Sequence, residues 1–452
     1  MSHRIVKLLF AALSSVMCFS AVSPSLGAND LLAQAAARFR EKDFAGAAVV
    51  ARKADDSPQR TFLLGVTLLR MGKPDEALPL LTEVTTKLPL VADYATLFQA
   101  EALLKLKKYP EAAGKAASMA KAYPTSLLVR RSEKLYADII YEAGDYAGAL
   151  KFYQSFVEKY PSGADSVEAL FQAARCREES GDGNGSAQIY RNIWLNNPTS
   201  VQSKQSQDRL KQLEKNGIKT AAYSSEELLR RASTLAARNE YSSSLKVLQA
   251  IPAEGQTPAV TARIDLQTGM TQYRSRNWKQ AEKSLVKAAG STFPGICSEA
   301  RFWLAKTLER QDQIERAFAL YMDLVGEGRK QEYADDALME AAGLRRSQGK
   351  YSDAARLLEQ LAKGFPDSKF IPRASWEIGW CRYLAGEYAA AADSFKTLLK
   401  DEVIREKALY WLARALEHTS GTEADAYYQV LLDEYPAGFY ATCQPACAHG
   451  PA

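Results

Sequence analysis

Histidine is nearly absent from this chain, with three in 452 residues. His3 lies near the start, which leaves His418 and His449 for any chemistry. Ser-His-Asp and Cys-His catalytic arrangements are therefore excluded over almost the whole length. Apolar runs are scarce too: beyond the N-terminal segment none approaches the roughly 20 residues needed to cross a bilayer. The turn ESGDGNG, Glu179 to Gly185, is glycine-rich, but no strand precedes it and no Gly-Lys-Ser/Thr follows. It reads as a helix-helix turn rather than a phosphate cradle. The formal charge of +5 is too small, without a basic stripe, to imply a nucleic-acid partner.

The N-terminal segment is the exception to the lack of apolar runs. Arg4 and Lys7 precede an apolar run from Leu8 to Val22, and small residues follow up to Gly27 and Ala28. This is the pattern of an export signal spanning 1–27, cleaved on the way to the periplasm of a Gram-negative cell envelope. Its removal takes away two cations and lowers the formal charge from +5 to +3. Five cysteines remain: Cys176, Cys297, Cys381, Cys443 and Cys447. Their odd number and wide spacing argue against a disulfide framework, even in an oxidising compartment. Cys176 and Cys381 sit in helical patterns as small apolar core residues.

What the chain does have is a period. A small residue follows each polar turn at Ala47, Ala77, Ala112, Ala149, Ala187, Ser244, Ala281, Ala317, Ala354 and Ala391, mostly 35 to 38 apart, with one gap of 57. Twelve residues before each stands Ala or Gly, with Arg175 the exception. Three before, an aromatic recurs, as at Phe44, Tyr109, Tyr146, Trp278, Tyr351 and Tyr388. Twelve after several comes Pro89, Pro124, Pro161 or Pro366. Paired small residues let antiparallel helices approach closely, and proline ends the second helix. Within "ALKFYQSFVEKYP", Leu150, Phe152 and Phe156 supply helical apolar spacing. Each unit is a helix-turn-helix that must stack on its neighbours to bury its apolar face.

These residues resemble the tetratricopeptide repeat over about residues 30 to 440. The fold class expected is all-α, a TPR-like superhelix of helix-turn-helix repeats. The long gap holds one polar helix, about Val201 to Lys215, ended by Asn216-Gly217. The array is therefore divided into 28–216 and 217–441, followed by a disordered tail, 442–452. A final unit is anchored at Ala424, with a compressed turn HTSGTEA, His418 to Ala424, and Pro436 twelve later.

Candidate sites are few. Cys443, Cys447 and His449 have soft-metal spacing but no fourth ligand, so no metal is expected there. Trp376, Trp380 and Tyr383, at i, i+4 and i+7, share one helix face; core packing is the reading preferred over a carbohydrate platform. The basic patch Leu104 to Tyr109 is a solvated helix end. Catalytic, metal and cofactor residues are accordingly expected to be none.

The segments ASWEIGWCRYLAGEYAAAADSFKTLL (Ala374 to Leu399) and KALYWLARALEHTSGTEADAYYQVLLDEYPAGFYA (Lys407 to Ala441) are similar to the helical superstructure of soluble lytic murein transglycosylases. That resemblance implies a peptidoglycan-cleaving domain after Tyr440, announced by a Glu-Ser pair and a later Gly-Leu-Met-Gln. Here the Glu-Ser pair, Glu179-Ser180, sits in a repeat turn, and Gly269 to Gln272 reads GMTQ. The expectation is a non-catalytic periplasmic scaffold that binds a cell-envelope protein or peptidoglycan. The alternative is the helical portion of a lytic transglycosylase whose catalytic domain is missing.

Overall fold

The computed structural model describes residues 28–326 and 332–443. The expected export signal, and the tail beyond Cys443, lie outside the described residues. Among those described are 23 α-helices, from Ala28–Arg40 to Gly421–Glu434, three short 3-10 turns and no strand. From Ala28–Arg40 to Val201–Lys215, and again from Ser225–Ala237 to Gly421–Glu434, each helix packs on the next one in the chain. The chain divides into two compact units between Ala222 and Tyr223. The first ends with the polar helix Val201–Lys215, whose C-cap is Asn216 and whose next residue, Gly217, has φ of 89°. The boundary falls a little after the Gly217 joint because the following residues remain attached to the first unit. Ile218 packs with Phe171, Leu213 and their neighbours, and the Arg191 guanidinium donates to the carbonyls of Ala221 and Ala222.

Ten of the hairpin turns are built alike. The residue five before each small anchor takes the left-handed conformation: Lys42, Gly72, Lys107, Gly144, Gly181, Asn239, Arg276, Asp312, Gly349 and Gly386 all have positive φ. It reverses the chain by letting the next amides cap the outgoing helix, as where Gly144 N donates to Tyr141 O (2.9 Å) and Asp145 N to Ile140 O (3.2 Å). Asp145 then accepts from Gly148 N at 2.8 Å and starts the next helix. At Gly144 any Cβ is strained, so Gly144→Ala is expected to lose about 1 kcal/mol. Gly114 sits exposed inside Tyr109–Ala122, with open space where a Cβ would go. There Gly→Ala is expected to gain up to ~1 kcal/mol. Urea unfolding of the two variants checks the opposite signs.

The turn geometry also corrects one register. Counting from Gly181, the fifth anchor is Ser186, fully buried, rather than Ala187. Its partner twelve earlier is then Ala174, also fully buried, and the Arg175 exception disappears. The place of the missing aromatic is taken by Gly183, where an added Cβ would lie 2.9 Å from Ile218 Cδ1. The last hairpin lacks a left-handed residue, and four residues, 417–420, separate its helices where the other hairpins have three, so the turn expected to be compressed is one residue longer. The recurrent aromatics begin the second helices and stay half-buried. Phe156 is core, but Phe152 remains 42% exposed, edge-on to Tyr136.

Four residues after most anchors, the second helix places a large buried side chain, with Ala51 and Ala116 the exceptions. Leu81, Tyr153, Tyr190, Leu285, Tyr321 and Phe395 all occupy this column and are essentially inaccessible. Across from them stand the small residues of the first helices, so small and large alternate and interdigitate. Burial pushes the Tyr153 phenol far above its usual range, reinforced by the Asp138 carboxylate that accepts its proton at 2.7 Å.

Neighbouring hairpins within each unit are cross-linked by polar pairs about one period apart, such as Arg130–Asp165, Arg209–Glu178, Lys306–Glu340 and Arg346–Glu377. Exposed pairs of this kind contribute little individually. One is readable by pH: Arg345 and Gln348 hold the Glu315 carboxyl down at about 2. A depressed carboxyl stabilises the fold above its unfolded pKa and loses that contribution as the pH falls through the folded one. Glu315→Gln is expected to flatten the decline of melting temperature between about pH 4.5 and about pH 2.

Candidate binding surface

The helix Ile371–Leu384 shows why aromatics become a surface here. Ala374, Ile378, Gly379 and Cys381 face the core, which turns Trp376, Trp380 and Tyr383 to the flank, where all three are half-buried. The structure brings them together, and it adds rings that the sequence reading passed over. Trp380 and Tyr383 lie parallel, 5.9 Å apart at 5°. Trp411, from the next first helix Arg405–Leu416, meets both edge-on at 4.6 and 5.1 Å. Tyr383 continues to Tyr388 at 5.4 Å, and Tyr388 stacks on His418 at 3.8 Å and 11°.

On the other side Tyr410 touches Trp411 at 5.3 Å and Tyr440 at 5.2 Å, and Tyr440 touches Phe439, which is 71% exposed. Trp376 leans on Phe395 at 5.1 Å, while the Lys407 ammonium sits 3.5 Å from its ring centroid. Burial alone pushes the Lys407 pKa down. An ammonium over an indole face is an attractive contact in itself. Ring contacts thus run without a break from Trp380 to Phe439, with Trp376 and its lysine alongside. Core packing describes the inner side of these rings, since Trp376, Tyr383 and Trp411 pack against the buried cluster of Phe395 and Leu412, while their other side is partly open to solvent.

Charged groups flank the rings and are held in place. Glu377, only 8% exposed, accepts from Arg373 Nε at 2.7 Å and Arg346 Nη1 at 3.2 Å. Arg414 donates to Glu417 at 2.7 Å, and Glu417 accepts from the Tyr428 hydroxyl at 2.6 Å. Such rings and fixed charges can stack on and hydrogen-bond a partner. They do not assemble a nucleophile with a base.

The other sequence candidates stay apart. Cys176 and Cys381 are buried, and burial pushes their thiols up to about 12 and about 11, so neither is a ready thiolate. Glu179 and Ser180 close a helix at a hairpin turn, and Gly269 packs against Leu285. The Leu104 to Tyr109 patch spans a helix end and its left-handed Lys107. Of the tail, Thr442 and Cys443 belong to the 3-10 turn Tyr440–Cys443, while Cys447 and His449 lie outside the described residues. Among the described residues no group of three or more His, Cys, Asp or Glu is arranged to hold a metal, and no helix is long and apolar enough to cross a membrane.

The chain is similar to the tetratricopeptide-repeat domain of P58(IPK), at 14% identity over 78% of this chain and 95% of that one, with a TM-score of 0.25. It is similar to the Cut9–Hcn1 hetero-tetramer of the APC/C, at 15% identity over 98% of both chains and a TM-score of 0.28. The human IFIT1 dimer with m7Gppp-AAAA matches at 13% identity over 96% and 95%, with a TM-score of 0.31. No curated protein matches the chain. One tetratricopeptide-repeat family profile matches residues 62–126, 266–332, 340–402 and 385–439, and a second such profile matches 135–163. These matches cover more than half of the sequence, and with the recurring hairpins they establish that the chain belongs to the tetratricopeptide repeat family.

Proposed function

We propose that this protein is a non-catalytic scaffold of the Gram-negative periplasm that docks a cell-envelope protein or peptidoglycan through the aromatic run between Trp376 and Phe439. The observation that carries the reading is the set of half-buried rings ending in the exposed Phe439, flanked by fixed Arg–Glu pairs. Sugar faces and peptide side chains both stack on such rings. Export is supported by the Arg4, Lys7 and apolar pattern at the N-terminus. The scarcity of histidine and the high thiol pKa values support a role without catalysis.

A second reading draws on the same residues. The aromatic run falls within the segment, about 370 to 441, that resembles the helical part of lytic transglycosylases, so peptidoglycan is the first partner to test. Purified full-length protein incubated with sacculi is expected to sediment with them and release no anhydro-muropeptides. Trp380→Ala is expected to reduce sedimentation about tenfold, since buried aromatic anchors commonly carry 1 to 2 kcal/mol or more of binding. Release of anhydro-muropeptides would overturn the non-catalytic reading in favour of the lytic one. Absence of sedimentation would remove peptidoglycan and leave an envelope protein as the partner.

A further inference from the structure

The two edges of the first unit differ in chemistry. The turns inside hairpins carry charge in every case: Lys42 and Asp43, Lys73, Lys107 and Lys108, Asp145, Asp182. The loops between the later hairpins, residues 88–91 (LPLV), 123–128 (YPTSLL), 160–163 (YPSG) and 197–200 (NPTS), carry none, whereas the first, 54–57 (ADDS), carries Asp55 and Asp56. Three contacts align these loops along one edge. Ser126 Oγ donates to Asp93 Oδ2 at 2.6 Å, Arg130 Nη2 donates to Ser162 O at 2.6 Å, and the Gln202 amide donates to Glu168.

Along that edge Leu90, Leu127, Ala164 and Val201 recur at a spacing of 37 residues. Ala164 is exposed, and the larger three are 62%, 85% and 70% exposed. Leu90, Leu127 and Val201 are thus large, apolar and open to solvent at equivalent places in their hairpins.

We infer that this edge is a membrane-contacting surface, and that its occupant is the interfacial layer of a phospholipid bilayer. Three protruding tips offer far less than the roughly 1,200 Å² that stable pairing of two proteins buries. They suit insertion between lipid headgroups, where no complementary pocket is required. Tyr123 and Tyr160, half-buried at the ends of the preceding helices, add rings of the type that settle at the headgroup level. Lys87, Lys121 and Lys159 stand in the last turns of those helices, above the tips, where ammonium groups complement lipid phosphates. Lys87 and Lys159 already pair with Glu83 and Glu133, so apolar insertion, rather than charge, dominates the contact.

The test uses the full chain with vesicles of phosphatidylcholine, with and without phosphatidylglycerol. Binding is expected to both and to persist at high salt. Replacing Leu90 and Leu127 by Ser, at positions where neither side chain supports the fold, is expected to weaken partitioning on the order of tenfold per leucine. Two single reporters place the contact: Leu127→Trp is expected to shift its emission to the blue on adding vesicles and to be quenched by brominated lipid, whereas Lys108→Trp on the opposite edge does neither. Equal responses at both positions, or binding abolished by salt, would overturn the proposal. So would a concentration-dependent dimer that the serine variants dissolve, which would assign the edge to a second copy of this chain.

Discussion

Gly269→Val is expected to be among the most destabilising single substitutions in the second unit, costing about 3 kcal/mol or more. A Cβ at this position would stand 2.5 Å from Leu285 Cγ, 2.8 Å from Leu285 Cδ2 and 3.2 Å from the Leu285 backbone nitrogen. The side chain could give way by changing rotamer, but the backbone contact would still force the helices Pro258–Arg274 and Trp278–Ala289 apart. Leu285 is inaccessible and belongs to the main core cluster of its unit, so the displacement has nowhere to relax. Gly295, near the start of a helix with open space around it, is the control, where the same change is expected to cost under about 1 kcal/mol. Equal unfolding midpoints for the two variants in urea would show that close approach at Gly269 is not what joins the hairpin.

The complementary loss is Phe395→Ala. Phe395 is fully buried and fills the space opposite Gly379, and Trp376 rests on its ring. Removing a buried ring costs about 3 to 5 kcal/mol through lost transfer energy and the cavity left behind. The effect extends to the binding surface, because Trp376 loses its backing and Lys407 the ring it covers. Sedimentation with sacculi should therefore weaken along with stability. Phe395→Leu, which keeps most of the volume, should retain more of both. Full binding by a folded Phe395→Ala protein would detach the surface from the core beneath it.

These effects follow from a pattern partly visible in the sequence. The recurrence of Ala and Gly twelve residues apart identifies the helix pairs, because steric closeness leaves little choice of side chain there. Val201–Lys215 was legible from its polar composition and the Asn216-Gly217 stop. The left-handed position was legible only where it is glycine, as at Gly144 and Gly349: five of its ten occupants, Lys42, Lys107, Asn239, Arg276 and Asp312, are not glycine. Tertiary packing overrides a local preference of about 1 kcal/mol, so a search for turn glycines misses half of these turns. At the fifth turn the glycine is present, at Gly181, and it is the serine standing where the other first-unit anchors have alanine that hides Ser186 behind Ala187. Serine fits because its hydroxyl is satisfied locally by Gly183 O at 3.0 Å, as Ser244 is by Ala232 O at 2.7 Å.

The aromatic surface was half visible. Trp376, Trp380 and Tyr383 share a helix and so betray themselves by spacing. Trp411, Lys407 and His418 come from the next hairpin and reach the same surface only through stacking. A signal did exist: Lys407, Tyr410 and Trp411 stand 34 residues after Arg373, Trp376 and Glu377, so the period that locates the core also aligns the flanks. Charge pairing between hairpins, by contrast, depends on long side chains whose reach no one-dimensional pattern records.

The central claim, that small residues of one helix and large residues of the next close each hairpin together, is tested most directly by a double-mutant cycle at Gly379 and Phe395. An Ala Cβ at 379 would lie 2.7 Å from Phe395 Cε1 and 2.9 Å from Cδ1. Gly379→Ala and Phe395→Leu should each destabilise, and the double variant should recover at least about 1 kcal/mol relative to their sum, because the smaller side chain vacates the space the new methyl enters. Strict additivity would contradict the account.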